Sequence, residues 1–346
     1  MKPDNKSKVR FWIVMGILTA LLMVLAVACL LYGSVDIPAR DVFSIIAGNG
    51  HENVAWDIII RQSRLPMIAT AALAGAALSV SGLLLQTTFN NPLAGPSILG
   101  VSAGAGLGVA VVMLATGGTV STLLGTAVGS YVTTLIGALI GAGAVLAILI
   151  AFSAIVRNST MLLIVGILVS YLASSIISLL NSVASEEGIH SYVTWGFGNF
   201  SGVTVAQMPV FGACIIASLI AAILMVKPLN ALLLGTRYAE NLGVNTHRTR
   251  NVLLIVTGIL TAVVTAFCGP IGFLGLVVPH VARFMTATSN HARLIPTTIL
   301  AGACVALLCT LISVNGTHGI IPINAITPII GVPIIIYIIV REKIHS

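Results

Sequence analysis

The stretch LGTRYAENLGVNTHRTR, residues 234–250, carries Arg237, Glu240, His247, Arg248 and Arg250 and is broken by Gly235 and Gly243. Apolar runs long enough to cross a bilayer flank it on both sides. A chain that only had to turn round at a membrane surface would need a shorter, simpler loop. Residues 234–250 therefore read as a surface made for something else to push on, a helix–Gly–helix pattern. The alternative is an ordinary basic loop that obeys the positive-inside rule.

The surrounding composition sets the class. Of 346 residues, 58% are hydrophobic and only 7% charged, with a mean hydropathy of +1.10. Soluble domains carry about 25% charge. A membrane-spanning helix needs roughly 20 mostly apolar residues, so this length allows about ten spans. Strand-type alternation is absent, which favours an all-α membrane bundle over a barrel. The 34 glycines suit close helix packing in lipid. Cys29, Cys214, Cys268, Cys304 and Cys309 all fall in apolar runs without a C-x-x-C pair, and read as buried small hydrophobes rather than metal or redox groups. Residues 1–10 are basic, but the apolar run behind them is long and lacks a small-residue cleavage site, so a retained first helix is expected.

The expected spans are residues 11–32, 66–89, 97–115, 123–150, 160–180, 208–226, 252–267, 273–285, 294–313 and 325–340, with a tight turn at Gly117–Gly118. With the N-terminus inside, Lys2, Lys6, Lys8, Arg10, Arg157, Lys227, Arg237, Arg248, Arg250, Arg283, Arg293, Arg341 and Lys343 all fall inside. Only Arg40, Arg61 and Arg64 of the 16 basic residues fall outside. Acidic residues split the other way: Asp36, Asp41, Glu52, Asp57, Glu186 and Glu187 lie outside, and Asp4, Glu240 and Glu342 inside. This asymmetry puts both termini and residues 234–250 in the cytoplasm. It also accounts for the net charge of +7 without a nucleic-acid partner.

None of the expected spans contains Asp or Glu, the usual carriers of a coupling ion at membrane depth. The chain has no G-x-x-x-x-G-K-[ST] phosphate loop either. An external motor acting on residues 234–250 fits both absences; a gradient-driven secondary transporter and a passive channel are the rivals. A weak internal echo, PSILGV at 96–101 against PIGFLG at 270–275, suggests two inverted halves of about five spans each.

Three blocks carry a resemblance over residues 64–341. They are Arg64-Leu65-Pro66 followed by AGAALSVSGLLLQTTFNNPLAGPSILGVSAGAGLG (74–108), residues 234–250 followed by CGPIGFLGLVVPHVARFM (268–285), and PINAITPIIGVPIIIYIIVR (322–341). The chain resembles the permease family of type II ATP-binding-cassette importers for iron–siderophore complexes, haem and cobalamin. The resemblance implies one permease domain over residues 1–346 with ten helices, in a bacterial inner membrane, and a dimer of permeases (an identical copy favoured over a paralogue). It also implies two cytoplasmic ATPase copies, which bind the ATP and Mg, and an external substrate-binding protein. No cofactor or catalytic residue is implied in this chain.

The resemblance places ATPase coupling on Arg237, Glu240, Asn241, Leu242, Gly243, Val244 and Arg248. It places a cytoplasmic gate at the Phe89-Asn90-Asn91-Pro92 turn, with Asn91, and at Ser159 and Thr160; Asn91 alternatively caps a helix ahead of Pro92. Arg64 matches the family's external docking arginine, an exposed fork for a carboxylate, or else anchors at the headgroups. Met67 and Ser313 stand where some members have arginine, and Arg61 is the candidate substitute. His280 and His318 are weighed as transient haem ligands against hydrogen-bonding roles. Trp195 is weighed as an interfacial anchor against a cargo contact.

Overall fold

The computed structural model describes residues 5–48, 53–115, 127–156, 159–314 and 321–345. Lys2, Asp4, Glu52, the Gly117–Gly118 turn, Arg157 and His318 lie outside the described residues. The apolar runs form helices because in a bilayer each backbone N–H must find its partner within its own segment. In order they are α1 (Asn5–Leu31), α2 (Ala39–Ile46), α3 (Val54–Ile58), α4 (Leu65–Thr88), α5 (Val101–Ala115), α6 (Ala127–Ile155), α7 (Ser159–Val183), α8 (Glu186–Gly196), α9 (Met208–Leu224), α10 (Val226–Leu232), α11 (Thr236–Asn241), α12 (Thr246–Cys268), α13 (Leu274–Thr286), α14 (His291–Val314) and α15 (Ile323–His345).

Among the described residues, six helices are long and apolar enough to cross a membrane, and α9 with α10 makes a seventh if the bent pair is one span. Three shorter apolar helices, Val101–Leu114, Leu274–Thr286 and Ile323–Ile338, occupy the remaining expected positions. Several boundaries move for physical reasons. The second span is not preceded by a loop: a π-helical segment, Ile59–Arg64, joins α3 to α4, so the helix runs 35 residues from Val54 to Thr88. Asn53 starts it, its side chain accepting from the Ala55 amide. The lengthened helix now includes Asp57, but in its first turns, paired with Arg61 at 2.9 Å. The sixth span bends by 54° after Leu224 because Pro228 cannot donate to the carbonyl four residues back.

Two features set the interior. First, glycines hold helices at backbone contact. On α5 and α6, Gly104 and Gly108 face Gly141 and Gly137, and a Cβ on Gly108 would lie 1.9 Å from the Gly137 oxygen. Gly75 on α4 and Gly302 on α14 meet the same way, with each added Cβ 2.3–2.4 Å from the other's oxygen. Second, the echoed segments are both turns that open short helices. Residues 96–100 turn into α5 with Gly100 at φ +79°, and residues 269–273 turn into α13 with Phe273 at φ +66°. They meet beside α4, where a Cβ on Gly275 would sit 2.5 Å from Pro96 Cδ and 2.8 Å from the Leu78 oxygen. One buried apolar cluster runs from Val14 to Ile323 across these helices, and a smaller one joins Ile37, Val42, Ile45 and Ile60.

The chain directions give the bundle a basic end, with Arg10, Lys227, Arg237, Arg248, Arg250, Arg283 and Arg293, and an acidic end, with Asp36, Asp41, Asp57, Glu186 and Glu187.

Candidate coupling site at the basic end

Residues 234–250 are not one loop. Leu233–Gly235 turn off α10, α11 follows, and α12 already begins at Thr246. Both glycines are conformationally required, Gly235 at φ +98° and Gly243 at φ +82°. The Val244 amide donates to the Ala239 carbonyl and the Gly243 amide to the Glu240 carbonyl, which is a Schellman stop. Asn245 then starts α12 by accepting from the Arg248 amide at 2.9 Å. The Glu240 carboxylate accepts from the Thr246 hydroxyl at 2.7 Å, so it braces the turn it flanks. Arg237, Glu240, Asn241, Leu242, Gly243 and Arg248 are exposed and Val244 is half-buried. Arg250 is not on this surface. It is buried and donates to the Ser153 and Val156 carbonyls at 2.6 and 3.0 Å, tying the start of α12 to the end of α6. Between these elements lies a cleft of about 530 Å³ lined by Thr88, Ala154, Thr236, Glu240, His247 and Arg250 among others.

The Asn90–Pro92 turn sits at the same end. Asn90 adopts φ +45°, and the Asn91 amide reaches back to the Gln86 carbonyl at 3.0 Å. Asn91 does not cap a following α-helix; its side-chain oxygen accepts from the Leu93 amide at 2.9 Å and shapes the turn. Ser159 and Thr160 open α7 at the basic end, and Thr160 is exposed. The His280 ring nitrogen Nε2 donates to the Pro92 carbonyl at 2.9 Å, so this histidine holds the turn.

At the acidic end the expected exposed Arg64 fork does not hold. Arg64 is 4% exposed and donates to the Leu30, Leu31 and Val35 carbonyls, because a guanidinium in a helix packed against the end of α1 finds carbonyls sooner than water. Arg61 is the exposed member of the pair, held by Asp57 and donating to the Ile45 carbonyl at 2.6 Å. Trp195 turns inward, half-buried, and stacks on Tyr192. Burial pushes the Tyr192 hydroxyl above its ordinary pKa.

Sequence reading missed Asn324. Its amide donates to the Gly196 carbonyl at 2.8 Å and to the Pro270 carbonyl, and accepts from the Gly272 amide at 3.2 Å. It thereby fastens the α8 exit, the turn into α13 and the start of α15. The only signal was an amide in an otherwise apolar helix opening.

A family model described as the FecCD transport family matches residues 21–341. The chain belongs to the FecCD transport family. It is 31% identical over 350 residues to the molybdate import system permease protein MolB of Haemophilus influenzae, covering 99% of this chain and 98% of that one. It is 32% identical over 295 residues to the vitamin B12 import system permease protein BtuC of Escherichia coli, covering 83% and 85%. A solved metal-chelate type ABC transporter in an inward-facing conformation matches this FecCD-family chain with TM-score 0.80 and 29% identity, covering 95% of this chain and 99% of the other. The chain is thus a multi-span permease of the ABC importer class, and the all-helical fold expected from its apolar runs is that of a solved relative.

Proposed function

We propose that this permease is one of two membrane subunits of an ATP-driven importer that carries a bulky metal chelate by alternating access. Iron–siderophore, haem and cobalamin are the cargo classes favoured. One relative is named for molybdate import, a small oxyanion, which fits a reading in which cargo choice rests mostly with the external binding protein.

The carrying observation is the exposed patch on α11 and its flanks. Leu234, Tyr238 and Leu242 are 62, 54 and 58% exposed beside Arg237 and Glu240, on a helix fixed by two glycine turns. Large apolar groups at a basic, water-facing end suit a docked protein. That protein is an ATPase, two copies serving two permeases, with the basic end and both termini in the cytoplasm of a bacterial inner membrane. Arg237, Glu240, Asn241, Leu242, Gly243, Val244 and Arg248 form the contact, and Asn91, Ser159 and Thr160 the inner gate. A face of α7 supports a path between two copies: Tyr171, Ser174, Ser175, Ser178 and Ser182 are exposed, at helical spacing, on a largely apolar span. An external binding protein meets the acidic end at Arg61, with Arg64 behind it as a tie.

The test is uptake in the native host. Arg237→Ala and Tyr238→Asp are expected to abolish uptake while the protein stays in the membrane and co-purifying ATPase is lost. Normal uptake in both variants would remove the coupling assignment. Cargo movement that persists without ATP would support the gradient-driven rival.

A further inference from the structure

The bend after Leu224 sends α10 across the basic end, and a polar contact there leads inward. Asn230 of α10 accepts through Oδ1 from the backbone amide of His291 at 2.9 Å and from His291 Nδ1 at 2.9 Å. The Asn230 amide nitrogen donates to Asn290 Oδ1 at 3.1 Å, which fixes the orientation of its oxygen. Since Oδ1 is an acceptor, Nδ1 carries the proton, and Nε2 is left to accept. Its neighbour is the Thr87 hydroxyl at 2.9 Å, whose single proton is shared between Nε2 and the Leu83 carbonyl of its own helix at 3.1 Å. His291 is 1% exposed and Thr87 7%, so water does not compete for the contact between them.

Thr87 is the penultimate residue of α4. Its carbonyl takes the Asn90 amide, and its neighbour Gln86 takes the Asn91 amide. These two residues of the last turn of α4 therefore hold the Asn90–Pro92 turn by their carbonyls, and their own side chains are held in turn. Gln86 accepts from Arg283 Nη1 at 2.6 Å and donates to the Leu276 carbonyl at 3.3 Å, both on α13. Contacts thus lead from Asn230 through His291 to the Thr87 side chain, and Thr87 in turn holds the turn through its carbonyl.

We propose that Asn230, His291 and Thr87 are the link that carries displacement of the α10–α11 pair to the turn at residues 89–92. The link rests on the importer reading above and names its internal transmission. His291 suits the task because a rigid ring with two opposed nitrogens keeps its partners at fixed separation, whereas an apolar contact would let them slide. The three are positioning residues; none needs to touch cargo.

The test uses the permease with its co-purified ATPase in vesicles, on a Cys214→Ser background with Asn90→Cys as the reporter. Asn90 is exposed, so a maleimide measures the turn's accessibility with and without ATP and Mg. The expected result is a change in labelling rate on adding ATP that Thr87→Val diminishes by at least about fivefold, the lower range of measured site-to-site couplings. ATP hydrolysis and melting temperature stay near the parent values, and Thr87→Ser restores the response. Asn230→Ala should act likewise, and the double variant should be no worse than either single, as for residues in one chain of contacts. A full ATP response in Thr87→Val, an additive double variant, no ATP response in the parent, or melting temperature falling with hydrolysis would each overturn the link. Recovery of the chain without any ATPase overturns instead the importer reading on which the link rests.

Discussion

Replacing Gly108 by alanine tests the glycine contact between α5 and α6. The added Cβ would lie 1.9 Å from the Gly137 oxygen and 2.6 Å from its carbonyl carbon. Ordinary contact begins near 3.4 Å, so the helices must part by about 1.5 Å at the crossing, or Gly108 must rotate away. Overpacking costs about 1–3 kcal/mol. The obstacle here is backbone on both sides, with no flexible side chain to yield, which places the penalty near 3 kcal/mol. The better helix propensity of alanine offsets about 1 kcal/mol of it. Gly143, on the same α6, is the control: it is exposed and nothing lies within 4 Å of its added Cβ. Gly143→Ala should gain about 1 kcal/mol, leaving a gap of about 3 kcal/mol between the two variants. Thermal unfolding of both in one detergent, read by intrinsic fluorescence, measures the order. Gly108→Ala melting at or above Gly143→Ala would refute the claim that these helices touch at glycine backbones.

Three further outcomes are expected. Gly243→Ala places a Cβ at φ +82° with open space around it, so it should strain the turn by about 1–2 kcal/mol and lower ATPase recovery in pull-downs with little loss of membrane protein. Asn324→Ala strands the Gly196 and Pro270 carbonyls and the Gly272 amide; at about 1–3 kcal/mol for an unsatisfied buried group, it should lower the melting temperature and speed proteolysis at residues 197–199, whereas Asn324→Gln tests whether reach alone restores both. A membrane-permeant maleimide should label one thiol per chain before denaturation, Cys214, and five after it, since Cys29, Cys268, Cys304 and Cys309 are buried; early labelling of Cys268 would contradict the packing around α12.

Much of this architecture is legible in the residues because apolar length and glycine breaks act locally. The ten apolar stretches, the two glycine turns of residues 234–250 and the short helices after Pro96 and Pro270 follow from nearest-neighbour chemistry. What was not legible depends on partners distant in sequence. An arginine beside a span looks the same whether it faces water or, like Arg64, a carbonyl at the end of a helix 34 residues earlier. Asn324 carries no motif that announces its three side-chain partners, nor His291 one that announces Asn230 and Thr87. The helical character of residues 54–64 was obscured by polarity, although Asp57 and Arg61 at i, i+4 were a usable sign. The bend after Leu224 was not read from the sequence, although Pro228 was there to signal it, and the contact of Asn230 with His291 that α10 then makes joins residues 61 apart.

The burial of Arg64 has a consequence for how the chain enters the bilayer. A lone arginine placed in a membrane helix costs about 2.5–3.5 kcal/mol at its centre, less near an end. The carbonyls of Leu30, Leu31 and Val35 that receive Arg64 are all synthesised before it. The guanidinium fits there because Gly33 has no side chain; a Cβ at that position would lie 2.6 Å from its Nη2. The first two spans are thus fitted to insert as a pair, with the earlier helix waiting to neutralise the hydrogen-bonding demand of the later one. Chains truncated before residue 36 or swapped at the first helix would hand the insertion machinery a second span whose charge has nowhere to go.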